Sequence, residues 1–149
     1  MMKQLILMAA ICFLFFTSFA QYDENKVNNK ARVLYNKAID KMQNDEDNDA
    51  LRLFDAALKI EPAFEEALLN KAGIFGDRKD YKNCVENYEK AKAIDSNYFK
   101  EFNLSYSINL AGLGRFNEAL NAVNVFLTIA NLNERSIKAG NYRKRCWEF

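Results

Sequence analysis

Apolar residues recur along the chain at intervals of three and four, in blocks separated by short polar stretches. Val27, Ala31, Leu34, Tyr35, Ala38, Ile39 and Met42 form one block, Leu68, Ala72 and Phe75 a second, and Phe102, Tyr106 and Leu110 a third. That spacing puts each set on one face of a helix. Behind each block comes another helical stripe, and the three later stripes align. Residues 48–58, 82–92 and 117–127 each carry a small residue (Ala50, Cys84, Ala119), then an aromatic or branched one four places on (Phe54, Tyr88, Val123). A further apolar residue follows three beyond (Ala57, Ala91, Phe126). Ala50 and Cys84 lie 34 positions apart and Cys84 and Ala119 lie 35 apart, a repeat of about 34 residues. The links within the pairs, Asn44-Asp45-Glu46-Asp47, Gly76-Asp77-Arg78-Lys79-Asp80 and Gly112-Leu113-Gly114-Arg115, are too short for anything but antiparallel neighbours. One hairpin of this size cannot bury both its faces, whereas three stacked hairpins make a continuous core. The prediction is an all-α chain, an α-α superhelix of three helical hairpins.

This period and pattern resemble tetratricopeptide (TPR) repeats. Leu113-Gly114-Arg115-Phe116-Asn117-Glu118-Ala119 is similar to the family's hairpin turn, and Ala50, Phe54, Ala57 and Pro62, with Ile60-Glu61 before the proline, match as well. Cys84 stands where alanine is usual, Ser96 where proline is usual and Lys41 where an aromatic is common. The units are read as 31–64, 65–99 and 100–132, after a lead-in at 21–30. A capping helix follows at 133–149, with Ala139, Tyr142, Cys146 and Phe149 on its inward face and Arg143-Lys144-Arg145 solvated near the negative end of its dipole.

The resemblance implies that the first helix of each pair lines a concave groove. The residues expected there are Arg32, Tyr35 and Ile39, then Glu66, Leu69, Asn70, Gly73 and Asp77, then Glu101, Leu104, Ile108 and Ala111. Tyr35, Ile39, Leu69, Leu104 and Ile108 offer apolar anchorage, or serve as core, and Asn70 offers a hydrogen bond to a bound backbone. Members that clamp a terminal carboxylate use Lys, Arg and Asn here. Tyr35, Ile39, Glu101 and Ser105 occupy most of those places, so a different protein or peptide segment is the expected partner.

Residues 1–20 carry one lysine, Lys3, an uncharged run from Leu5 to Phe16, then Thr17-Ser18-Phe19-Ala20 with small residues ahead of the expected cut. That is the pattern of a secretory signal peptide, and the run is short for a membrane span. Together with the three-repeat module and the ending Arg-Lys-Arg-Cys-Trp-Glu-Phe, it resembles the N-terminal region of bacterial envelope proteins that continue into a WD-type β-propeller and an OmpA-like domain, some of them in type IX secretion. That implies a periplasmic or outer-membrane-associated place, in an envelope complex or as a docking module of a larger protein. The terminal helix offers a face for self-association.

Composition narrows the chemistry further. Lys plus Arg number 21 against 20 Asp plus Glu, which gives no global pull towards nucleic acid. There is no histidine, so imidazole acid–base and metal chemistry are absent. Cys12 leaves with the signal, and Cys84 and Cys146 sit on apolar stripes a hairpin apart and are read as free and buried. Asp45-Glu46-Asp47-Asn48-Asp49 mimics the start of a calcium loop, yet Ala50 and Ala56 stand where such a loop needs Gly and Glu. Glu65-Glu66 and Glu86 are read as solvated helix faces. No nucleophile or phosphate-cradling loop accompanies them, and the expectation is a non-enzymatic scaffold without cofactor or metal.

Overall fold

The computed structural model describes residues 22–148. The signal peptide expected at 1–20 and Phe149 of the expected capping face lie outside the described residues. The helices are α1 (Asn29–Gln43), α2 (Asp47–Ile60), α3 (Glu65–Asp77), α4 (Tyr81–Ile94), α5 (Asn103–Gly112), α6 (Phe116–Phe126) and α7 (Glu134–Trp147), and no strand occurs among the described residues. They pack as hairpins α1/α2, α3/α4 and α5/α6, with α2 meeting α3, α4 meeting α5, and α7 lying on α6.

Each hairpin turns in the same way. Asp45, Lys79 and Gly114 take the left-handed conformation at φ 59°, 58° and 76°. The next residue's N–H then reaches back over the end of the helix: Glu46 to Lys41, Asp80 to Phe75 and Arg115 to Leu110, each at 2.9 Å. These bonds satisfy carbonyls that the ending helix leaves open. Side-chain caps close several helix starts, Asn28 accepting from the Lys30 N–H at 2.9 Å, Asp80 from Asn83 at 3.2 Å and Asn133 from Ser136 at 2.8 Å.

The core has two parts. Ala31, Ala38, Ala50, Phe54, Ala57, Phe64 and Ala67 fill the first, where alanines let the helices approach closely around the two rings. Leu68, Cys84, Tyr88, Phe99, Tyr106, Leu110, Val123 and Trp147 fill the second. There the rings of Tyr88, Phe99 and Tyr106 meet edge to face at centroid distances of 5.6–5.9 Å.

Two details depart from the sequence reading. Before the third hairpin the chain forms a 3-10 turn, Tyr98–Phe102, and the α-helix begins only at Asn103. Without proline at 96, Asp95 organises this entry, its Oδ1 accepting from the Asn97 and Tyr98 N–H groups at 2.8 and 3.1 Å. On α7 the buried residues are Gly140 and Trp147, while Ala139 and Cys146 are half-buried and Tyr142 is 56% exposed. Gly140 faces α6 closely: a Cβ there would come within 2.7 Å of the end of the Leu127 side chain, which would have to move aside.

Candidate functional site

Side-chain links join α1 to α3, and α3 and α5 share the walls of a cleft on one side of the stack. Asn70 on α3 donates from Nδ2 to the Tyr35 hydroxyl on α1 at 3.1 Å and to the Glu66 carbonyl at 2.8 Å. Arg32 on α1 lies 3.4 Å from Glu66 on α3, and its guanidinium covers the Phe64 ring at 4.8 Å. Between α3 and α5 opens a cleft of about 370 Å³, lined by Gly73, Gly76, Asp77, Ser105, Ile108 and Asn109, with Tyr81 and Tyr88 of α4 beneath. A Cβ on Gly73 would touch nothing within 4 Å, so the absence of a side chain there leaves open space on the cleft wall.

The expected groove residues fall into distinct environments. Arg32, Tyr35, Asn70 and Glu66 form one connected polar cluster, half-buried except for Glu66, which is 9% exposed. Gly73, Asp77 and Ile108 line the cleft, Asp77 and Ile108 being exposed. Ile39 packs half-buried against the first core part, and Leu104 and Ala111 pack against the second. Leu69 is 7% exposed and belongs to that core, so it is packing and not an anchor for a ligand. Glu101 rides on the 3-10 turn ahead of α5, exposed to solvent.

The acidic pair was misread as solvated. Glu65 is wholly buried and Glu66 nearly so, and the segment before α1 folds back to reach Glu66 through Tyr22. Tyr22 donates its hydroxyl to Glu66 and its backbone N–H to Asp95 Oδ2 at 3.2 Å, so a residue assigned to a lead-in ties α3 to the end of α4. Burial and the neighbouring Glu66 push the Tyr22 hydroxyl well above its usual range. Nothing in the repeat marks Tyr22, since it precedes the first unit. The Cys84 and Cys146 thiols are free, Cys84 buried and Cys146 half-buried. Among the described residues no group of three His, Cys, Asp or Glu is placed to hold a metal ion, and no helix is long and apolar enough to cross a membrane.

No family model matches the sequence, and no curated protein matches it. In structure the chain is similar to the TPR domain of Sgt2 from Aspergillus fumigatus, with a TM-score of 0.69 over 87% of this chain and 82% of that one. The fold is a TPR-like helical superhelix. Sequence identity between the two is 21%, so the likeness lies in how the hairpins stack. In TPR-like terms α1, α3 and α5 are the first helices of the three units. The cleft and the Arg32–Tyr35–Glu66–Asn70 cluster both lie along them.

Proposed function

We propose that this chain is a non-enzymatic adaptor that holds a segment of a partner protein along α1, α3 and α5, exported by its signal peptide and working in a bacterial envelope assembly. The observation that carries the reading is the open cleft between α3 and α5, which combines the exposed apolar Ile108 with the polar Ser105, Asn109 and Asp77. That mixture suits one inserted partner side chain together with hydrogen bonds to its backbone. Export rests on the leader pattern, and the envelope role on the sequence resemblance.

A second reading is favoured by α7, whose Ile137 and Tyr142 are 41% and 56% exposed: the stack docks through its end onto another domain or another copy. Gly73→Leu and Ile108→Arg separate the two. Neither side chain supports the core, so both variants fold, and both fill or charge the cleft. Immobilised protein is expected to retain a defined polypeptide from an envelope extract that both variants lose. Retention unchanged by the cleft variants but abolished by Tyr142→Asp moves the interface to α7.

A further inference from the structure

Glu65, the first residue of α3, is fully buried, and neither of its carboxylate oxygens has a hydrogen-bond partner. An ionised carboxylate in that position is costly. The charged groups facing it make ionisation harder. Glu66 follows on its own helix and is engaged by Arg32 of α1, and Asp95 closes α4. Across them runs a strap, residues 22–28, in which Tyr22 binds Asp95 through its N–H and Glu66 through its hydroxyl. Two of its charges, Asp23 and Lys26, pair with each other at 3.3 Å and line a cleft of about 280 Å³ with Glu61 of the α2–α3 link.

We propose that Glu65 is a proton-operated catch for this strap: protonated, it lets Tyr22 tie α3 to α4, and ionised, it releases the strap and uncovers Glu66 and Arg32. With Glu65 charged, a buried carboxylate without a hydrogen-bond partner stands beside those of Glu66 and the partly exposed Asp95, and the cheapest relief is to admit water from the side held least firmly. That side is the strap. Beyond Tyr22 its inward anchor is Val27, whereas the start of α3 is fixed by the fully buried Phe64 and Ala67. Burial first, then the charges of Asp95 and Glu66, push the Glu65 carboxyl up to about 8. Asp95 does not take the proton instead, because the N–H groups of Tyr98, Asn97 and Tyr22 hold its carboxyl below the usual range. The catch is independent of what the TPR-like groove binds.

Amide hydrogen exchange of residues 22–28 in the full chain, corrected for the intrinsic rise of exchange with pH, reads the strap directly. Opening linked to one proton loses protection by up to about tenfold per pH unit as the pH rises towards the transition, and the loss levels off above it. The expected result is protection that falls as the pH rises from about 6 towards about 8 and is level above it, with the Glu65 carboxyl carbon titrating near the upper end of that range by NMR. Glu65→Gln should hold the strap closed at every pH, and Asp95→Asn, which removes a neighbouring charge, should move the transition to lower pH. A Glu65 carbon that titrates like an ordinary glutamate, protection flat with pH, or a pH-dependent loss that persists in Glu65→Gln overturns the proposal. If Glu65→Gln does not fold, an unshifted transition in Asp95→Asn overturns it equally.

Discussion

The Nδ2 of Asn70 donates to the hydroxyl of Tyr35 at 3.1 Å, joining equivalent faces of the first and second hairpins across α1 and α3. The same amide holds the Glu66 carbonyl at 2.8 Å, which orients it towards Tyr35. A net contribution of about 1 kcal/mol is expected for a half-buried bond of this kind. A double-mutant cycle of Tyr35→Phe and Asn70→Ala, followed by urea unfolding, should return a coupling of that order. A coupling near zero would show that the two hairpins are joined by packing alone.

Lys79 occupies in the second turn the left-handed place that Gly114 occupies in the third. A side chain in that conformation costs roughly 1 kcal/mol that glycine avoids. Lys79→Gly and Asp45→Gly are each expected to stabilise the fold by about that amount, and Gly114→Ala to destabilise it similarly. Thermal melts of the three variants check the ordering.

Gly112 and Gly73 should respond to alanine in opposite directions. A Cβ on Gly112 would lie 2.7 Å from the Tyr81 ring of the preceding hairpin, whereas one on Gly73 meets nothing within 4 Å. Gly112→Ala is expected to cost about 1–3 kcal/mol through overpacking. Gly73→Ala is expected to gain up to about 1 kcal/mol from helix propensity. Equal effects in denaturant titrations would contradict the close approach at Tyr81.

The two thiols should differ in reactivity. Burial, with the charges of Asp80 and Asp77, pushes Cys84 up to about 12, so it carries almost no thiolate near neutrality. Cys146 is half-buried. With an alkylating reagent at about pH 8, Cys146 should react first and Cys84 only as fast as the fold opens. Peptide mapping over time distinguishes this order from simultaneous labelling.

Stability should fall as pH rises through neutrality. Unfolded, Glu65 loses its proton near the ordinary 4.5; folded, it keeps it to about 8. In between, the folded chain holds a proton that the unfolded chain lacks, so its contribution declines across that window and is level above it. Asp80, Asp95 and Glu118 act oppositely, being held low by Asn83, by the Tyr98 N–H and by Arg115, and their contribution is lost at acid pH as they protonate. Melting temperatures of the wild type should drop between about pH 6 and 8, while Glu65→Gln stays flat there.

The stack of hairpins was legible because it is written locally and three times. The Ala50, Cys84 and Ala119 series, with apolar partners four and seven places on, marks the second helix of every unit, and all three residues are fully buried. The short links imply the antiparallel pairs, and the turn at Gly114 announces the left-handed geometry that Asp45 and Lys79 share. Among the groove candidates that the family resemblance implied, Arg32, Tyr35, Glu66 and Asn70 form one connected cluster.

What register cannot supply is depth, because a residue on the inner face of a helix reads the same whether a neighbouring hairpin covers it or solvent does. Leu69 and Ile108 occupy comparable inward positions, yet Leu69 is 7% exposed and Ile108 37%. On α7, Gly140 faces Leu127 and Trp147 is buried while Tyr142 is not, an orientation that only the packing of α7 on α6 reveals. The acidic cluster was hidden for the same reason. Glu65, Asp95 and Tyr22 are far apart in sequence and belong to no common repeat position: the α3/α4 hairpin sets Glu65 beside Asp95, and the return of the strap adds Tyr22. The sequence by itself determined the helices, their pairing and their period, since those follow from spacing within a few turns. The tertiary structure alone decided which polar groups lost their water, because burial depends on what the rest of the chain places on top of them.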